Sequence, residues 1–443
     1  MSRRQREASG GERREVDVVA LSHDGRGIAR IDGKAVFIAG ALPGERVIIE
    51  VVKRRRRMDE AGLLEVLVAS KDRVVPRCAH FGLCGGCSLQ HLSSDAQVEA
   101  KQAQMLEDLA RIGGVSPARV LAPLRGPAWG YRRRARLGVR YVHKKGRVLA
   151  GFRERDKPYL ADLARCEVLI GEFATLPADL ATLVDALSIR ERVPQVEFAS
   201  GDTASALVFR VMQEPNGEDL ARLEDFGRRR KLGIYLQSAG PDSIRPLGDT
   251  PPALNYAIGA YEVRIGFGPA DFVQVNSGLN EAMVVAALAA LDPDPGDTVL
   301  DLFCGLGNFT LPLARRSAQV VGIEGDAGLV GKARMNAVEN GIENAAFHVE
   351  NLFEPASFGP WAGGRYERVL LDPPRAGARE LIEHILHWRP RRVVYISCHP
   401  GSLARDAGIL VATKEYELAA AGVMDMFAHT THVESMAVFE RRR

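Results

Sequence analysis

The chain has 443 residues, 46% of them hydrophobic and 26% charged, with a formal net charge of only +3. That is the composition of an ordinary globular protein, with length for two to four domains of roughly 100–200 residues each. No run approaches about 18 apolar residues, so no membrane-spanning helix and no membrane partner are expected. The basic amino terminus, residues 1–14, is followed by no apolar stretch of signal length. It reads as a disordered arm of a cytoplasmic protein, in which the six cysteines stay reduced.

Residues 15–70 read as a small all-β domain. Five short apolar or alternating runs (residues 15–21, 27–31, 34–38, 45–52 and 63–67) are separated by the turn signals Asp24-Gly25, Asp32-Gly33 and Pro43-Gly44. Five strands in so short a span predict a barrel of OB type, a frequent nucleic-acid binder. The stretches His23-Asp24-Gly25-Arg26-Gly27 and Leu42-Pro43-Gly44-Glu45-Arg46-Val47 resemble the TRAM domain of RNA-modification enzymes.

A second unit, residues 71–265, opens on Cys78, Cys84 and Cys87 in a C-x5-C-x2-C spacing, with Gly82, Gly85 and Gly86 between them. Three thiols this close in a reducing compartment signal a metal. A fourth ligand is needed, and Cys166 is the candidate. A sulfur-only set suits a zinc ion or a [4Fe-4S] cluster, and spacing does not choose between them. A helix is predicted over residues 93–111.

Between Tyr131 and Arg155 there are ten cations against the single acid Glu154. Together with the run Lys53-Arg54-Arg55-Arg56-Arg57, this density points to a polyanion. Arg132, Arg133, Arg134 and Arg136 lie on a predicted strand, with Tyr131, Tyr141 and Phe152 nearby, a mix suited to phosphate contact and base stacking. Residues 167–250 alternate helix and strand signals and carry no evident chemistry.

Residues 266–443 hold the stretch that organises the chain. Val299-Leu300-Asp301-Leu302-Phe303-Cys304-Gly305-Leu306-Gly307-Asn308 reads as a buried strand, a glycine turn and a helix start. The third glycine of the dinucleotide fingerprint is missing, which favours a nucleoside cofactor without a pyrophosphate, commonly S-adenosylmethionine. A second strand ends in Glu324, placed for ribose hydroxyls. Later strands end at Asn351, at Asp372-Pro373-Pro374-Arg375 and at Ser397-Cys398-His399-Pro400. Polar groups at successive strand ends predict a doubly wound parallel sheet with one composite site on its edge.

Arg375 stands where amino-group methyltransferases place a stacking aromatic, which argues against an exocyclic amine as target. Cys398 supplies what methylation of uracil at C5 requires, a thiolate that adds to C6 and makes C5 nucleophilic. Glu434 is the nearest candidate base for removing the C5 proton afterwards.

At this point a resemblance becomes specific. Ser397-Cys398-His399-Pro400 resembles the Ser-Cys-Asn-Pro nucleophile loop of RNA uracil-C5 methyltransferases, and residues 425–436 resemble their terminal base motif. With the TRAM-like barrel and the cysteines, the chain looks like the branch that modifies uridine 1939 of 23S ribosomal RNA. The resemblance covers nearly the whole chain after residue 15. It implies an α/β fold: a Rossmann-like S-adenosylmethionine methyltransferase domain, an amino-terminal OB-like barrel, and a central α+β domain carrying an iron-sulfur cluster. It implies a [4Fe-4S] cluster on Cys78, Cys84, Cys87 and Cys166, Cys398 as nucleophile and Glu434 as base. It also implies cofactor contacts from Gln274, Phe303, Asn308, Glu324, Asn351 and Asp372, and 23S rRNA as partner of a monomeric enzyme.

Three positions depart from the pattern: His399 for asparagine, Ala428 for proline and Thr431 for glycine. The expectation for His399 is an exposed loop residue, and for Cys304 a small apolar filler. Competing readings are another rRNA uridine, the tRNA T-loop uridine, a non-catalytic rRNA-binding assembly factor, and a redox enzyme using the cluster.

Overall fold

The computed structural model describes residues 12–249, 251–355 and 358–442. They divide into two compact units, one of residues 1–100 with His429–Thr431 and one of residues 101–428 with His432–Arg443. Most of the expected arm lies outside the described residues, and Arg13 and Arg14 already belong to the first strand.

The first unit is built on six strands, β1 (Arg13–Asp17), β2 (Ala20–Leu21), β3 (Gly27–Ile31), β4 (Lys34–Ala39), β5 (Arg46–Arg54) and β6 (Met58–Val68). Their order is β1-β5-β6-β4-β3-β2. Val16 from one end of that order and Ala29 from near the other share one core with Val36, Ile38, Val47, Ile49 and Ala61. The sheet therefore curls on itself into the expected barrel. Two details differ from the sequence reading. The first run breaks at Val18, whose N–H turns away to the Glu45 carbonyl. The last strand begins at Met58, five residues early, because the basic run forms a turn closed by the Arg55 N–H to the Met58 carbonyl.

Residues 71–100 divide with the barrel, not with the central sheet as the expected boundary at 70 had them. The reason is polar: Arg73 reaches the Gly40 carbonyl at 2.7 Å and the buried Glu45 carboxylate at 2.8 Å. Gln97, buried, donates to the Leu89 and Leu92 carbonyls and accepts from the His429 N–H at 2.8 Å. The His429 carbonyl accepts in turn from the N–H groups of Ser88 and Leu89. Gly25, at φ +79°, leaves the room that the methyl group of Thr431 fills: a Cβ there would sit 2.9 Å from it.

The second unit begins within α1 (Ser94–Arg111) and continues through β7 (Arg119–Val120), β8 (Arg134–Val142), β9 (Arg147–Gly151), α2 (Leu176–Asp185), β10 (Gln195–Ser200), β11 (Ser205–Arg210), α3 (Gly217–Arg230), β12 (Leu232–Gln237) and β13 (Ile244–Pro246). Apart from α1 and β7 these form the central α+β layer, a sheet of order β13-β12-β11-β10-β8-β9. A hairpin, β14 (Leu254–Ile258) and β15 (Val263–Phe267), leads to α4 (Ser277–Leu291).

The carboxyl-terminal layer follows: β16 (Thr298–Leu302), α5 (Thr310–Ala314), β17 (Gln319–Glu324), α6 (Ala327–Glu339), β18 (Ala345–Val349), β19 (Arg368–Leu371), α7 (Ile382–Trp388), β20 (Arg392–Ser397), α8 (Pro400–Ala412), β21 (Tyr416–Met424) and β22 (Glu434–Arg441). Its order is β18-β17-β16-β19-β20-β22-β21-β7. The five strands read from sequence are parallel, as expected. The chain order reverses between β16 and β19, so the ligand crevice of such a sheet opens at their carboxyl ends. The sheet as a whole is mixed, because β22 runs antiparallel to both β20 and β21.

Candidate active site

The site is assembled by strand register. β16 ends in Asp301 and Leu302, and the chain turns through Phe303 at φ +66°, Gly305 at +55° and Gly307 at +91°. Glycine relieves the strain at two of these positions and Phe303 bears it. The Gly305 N–H donates to the Glu324 carboxylate at 3.1 Å, and the other Glu324 oxygen accepts from the Asp326 N–H at 3.1 Å. Glu324 is thereby fixed at the end of β17 beside the glycine turn.

Asn308 is locked by a reciprocal amide pair with Asn280 of α4, at 2.9 and 3.0 Å, and by the Tyr256 hydroxyl at 2.9 Å. Asn280 and Tyr256 were not anticipated from sequence. A buried asparagine in the otherwise apolar face of α4 is the signal that was there to be used. Asn308→Ala removes all three bonds and leaves Asn280 buried without those partners. The expected loss is about 2–3 kcal/mol of stability, seen as a lower Tm that saturating S-adenosylmethionine only partly restores.

Cys398 and Glu434 meet through the antiparallel pairing that sequence reading left out. β20 and β22 pair with Ser397 opposite Ser435, so Cys398, just past the end of β20, lies beside Glu434 at the start of β22. The Ser435 hydroxyl donates to the Ser397 carbonyl at 3.3 Å and holds that register.

His399 is neither exposed loop nor charge partner. It is half-buried and caps α8, its Nδ1 accepting from the Ser402 N–H at 3.1 Å, the task an asparagine oxygen performs at such a position. The Ser402 hydroxyl and the Ser397 hydroxyl both donate to the His399 carbonyl, at 3.0 and 3.1 Å. The loop that carries Cys398 is thus rigid on its carboxyl side.

All eight residues singled out for cofactor or catalysis line one cavity of about 530 Å³: Gln274, Phe303, Asn308, Glu324, Asn351, Asp372, Cys398 and Glu434. Tyr256, Phe272, Phe353 and Arg375 line it too. The Phe303 and Phe353 rings stand 5.7 Å apart, and Asn351 shapes that wall by accepting from the Phe353 N–H at 3.1 Å. Cys304 is buried behind the turn, its sulfur 3.0 Å from where a Cβ on Gly322 would be.

The electrostatics are set by burial. Asp301 and Asp372 are pushed up to about 7 by desolvation, Asp301 against the opposing hydrogen bond from the Thr310 hydroxyl at 2.5 Å. Glu434 is pushed up to about 8 by burial and then by Asp372, with Lys101 pulling the other way. The Cys398 thiol is pushed up to about 11 by burial, then by Glu434 and Asp372, and Arg375 opposes them. Two protonatable groups in reach of one cavity, one thiol and one carboxyl, are an arrangement for nucleophilic addition and proton removal.

The cations sort differently. Arg134 is mostly buried and bound internally, to Glu197 at 3.1 Å and to the Ala270 carbonyl at 2.6 Å. Arg132 donates to the Arg134 carbonyl at 2.9 Å, and Arg133 pairs with Asp202. Arg136 pairs with Glu197, its register partner, yet keeps 69% of its side chain exposed. Of the four arginines, Arg134 is a brace for the loop that leads to Gln274.

Cys78, Cys84 and Cys87 are half-buried in a loop of the first unit, and Cys166 is buried in the second. Among the described residues, no group of three or more His, Cys, Asp or Glu side chains is gathered so as to hold a metal ion. The donor chemistry of the loop suits a soft metal, and the Gly86 N–H points at the Cys84 sulfur at 3.4 Å, a contact that favours thiolate.

A switch-point cavity without a pyrophosphate loop, lined by a ribose-type acid, and a thiol beside a buried carboxyl define the class: a Rossmann-like methyltransferase. The profile described as tRNA (Uracil-5-)-methyltransferase matches residues 95–352 and 363–442, and the TRAM domain profile matches residues 8–63. The chain is 52% identical over 425 residues, 96% of each, to the 23S rRNA (uracil(1939)-C(5))-methyltransferase RlmD of Methylococcus capsulatus. It is 51% identical over 429 residues, again 96% of each, to the protein of the same name from Alkalilimnicola ehrlichii. The crystal structure of Pyrococcus abyssi tRNA (uracil-54, C5)-methyltransferase with S-adenosyl-L-homocysteine superposes with a TM-score of 0.73 at 25% identity, covering 96% of this chain and 100% of that one. The chain belongs to the RNA uracil-C5 methyltransferase family. Among the described residues, no helix is long and apolar enough to cross a membrane.

Proposed function

We infer that this protein methylates C5 of a uridine in 23S ribosomal RNA, at the position equivalent to uridine 1939, using S-adenosylmethionine. The observation that carries the reading is the register of β20 against β22, which places a thiol and a buried carboxyl side by side on the cavity. The relatives at about half identity over nearly the whole chain favour 23S rRNA over the tRNA target of the structural neighbour.

S-adenosylmethionine, when bound, supplies an electrophilic methyl group on a sulfonium. Glu324 would take its ribose hydroxyls. Gln274, Phe303, Asn308, Asn351 and Asp372 complete its bed. The Cys398 thiol gives its proton to solvent and the thiolate adds to C6 of the extruded uracil, and the C5–C6 double-bond electrons move onto the carbonyl as an enolate that makes C5 nucleophilic. Once C5 has taken the methyl group, its bond to the sulfonium sulfur broken and S-adenosylhomocysteine left behind, the Glu434 carboxylate removes the C5 proton. The double bond re-forms, the C6–S bond breaks and the thiolate leaves. The barrel and the exposed cations of the central sheet, Arg136 foremost, hold the RNA backbone.

Cys78, Cys84, Cys87 and Cys166 are read as ligands of a [4Fe-4S] cluster, supported by their sulfur-only donor set and by the family resemblance, and no chemical step is assigned to it. The protein is read as a monomer that acts in the cytoplasm.

The test is transfer of tritium from S-[methyl-³H]-adenosylmethionine to 23S rRNA that lacks the modification. Label should appear in 5-methyluridine at one site, equivalent to 1939. Label in tRNA alone, or none in any RNA, would overturn the reading.

A further inference from the structure

Lys101 in α1 is out of place by ordinary rules. Its side chain is 3% exposed, and a buried ammonium is costly unless paired. It is paired: Nζ donates to Asp425 Oδ1 at 2.7 Å and to the Phe427 carbonyl at 3.0 Å. A buried ion pair of this kind is commonly no more stabilising than packed hydrocarbon of the same volume, so stability alone does not account for it.

Its position does. Asp425 directly follows β21, and the loop it opens delivers the chain to Glu434, the first residue of β22. Lys101 therefore holds the stem of the loop that presents Glu434. The charged and titratable groups acting on Glu434 and its neighbour Cys398 are Asp372 from the end of β19, Arg375 from the turn after it, and Lys101 from α1. Lys101 is the cation among those acting on Glu434, and His432 of the same loop senses it as well.

We propose that Lys101 is a positioning residue for proton removal from C5: through Asp425 and Phe427 it fixes the stem of the loop that presents Glu434. This rests on the assignment of Glu434 as the base.

The test uses the full-length protein and 23S rRNA. Lys101→Met should lower kcat by about tenfold or more, a share of what a positioned general base contributes. The KM for S-adenosylmethionine should stay within about twofold, since Lys101 is not one of the residues that line the cavity. The pH midpoint of kcat should move up by about one unit, the effect of removing a nearby opposite charge. Protein-RNA adduct stable to denaturant should accumulate, because addition proceeds and proton removal lags.

Lys101→Arg, which keeps the charge, should restore most of kcat and the wild-type midpoint. Should Lys101→Met unfold, the double variant K101M/D425L replaces the ion pair by hydrocarbon and is expected to fold, remain slow and keep the shifted midpoint. A double variant with wild-type kcat and pH profile would overturn the proposal. Glu434→Gln run alongside separates the failures: no adduct there sinks the base assignment itself, whereas adduct there with a normal double variant sinks only the role of Lys101.

Discussion

Cys398→Ala is expected to abolish methyl transfer to RNA, by about four orders of magnitude or more, the scale on which removal of a covalent nucleophile acts. C5 of uracil is too electron-poor to attack a sulfonium methyl group, and no other side chain among the cavity residues supplies a nucleophile for C6: Cys304, the one other thiol in the lining, is buried behind the glycine turn with its sulfur packed against Gly322. The same variant should bind S-adenosylmethionine within about twofold of wild type, because loss of a group that acts only in the transition state leaves ground-state binding intact. Calorimetric titration of the cofactor with a parallel tritium-transfer assay gives both numbers. Full activity in Cys398→Ala would end the covalent scheme, and loss of cofactor affinity would move Cys398 into the binding bed.

The second large effect belongs to Glu434→Gln. Addition of the thiolate and methylation of C5 do not need this carboxyl, but proton removal does, so the variant should halt with the RNA covalently attached through C6. The observable is a band of protein-RNA adduct that survives denaturing electrophoresis, with turnover down about 10³-fold. Its pH behaviour follows from burial, which raises Glu434 from its ordinary 4.5 to about 8. The carboxylate is therefore the minor form below about pH 8 and the major one above it, and wild-type kcat should climb through that value.

The same shift makes a stability statement. Between the two values the folded state holds a proton that the unfolded chain has released. The contribution of Glu434 is thus whole below about pH 4.5 and lost as pH rises through about 8. Glutamine cannot ionise, so Glu434→Gln should raise Tm relative to wild type by more at pH 9 than at pH 6. Equal differences at both values would show that the carboxyl is solvated.

Much of this site was legible in the residues because its signals are local. A glycine turn at the end of an apolar run, and single polar residues closing later runs, mark a sheet edge without knowledge of what packs where. What was not legible depends on pairing across the chain. β21 carries Ala419, Ala420 and Ala421 and a register shift between Leu418 and Ala420, so it has neither the residue types nor the alternation of a strand, yet with β22 it turns a parallel sheet into a mixed one.

Charge was the least transferable signal. A dense basic run does not say which cations have acids waiting for them, and Glu197 on β10 takes up both Arg134 and Arg136. Lys101, in a helix with many polar residues, reads as a solvent-facing lysine until Asp425 is seen beneath it. The histidine beside Cys398 shows the opposite case, a departure from the family pattern that keeps the pattern's geometry by offering another acceptor to the same N–H.

The thiol of Cys398, held at about 11, has one consequence for the life of the enzyme between substrates. At neutral pH roughly one molecule in ten thousand would carry the sulfur anion that peroxides and alkylating agents attack. The sulfur is thereby dormant towards stray electrophiles at neutral pH. Resistance to damage then comes from a single proton kept in place by burial and, after it, by two acidic neighbours.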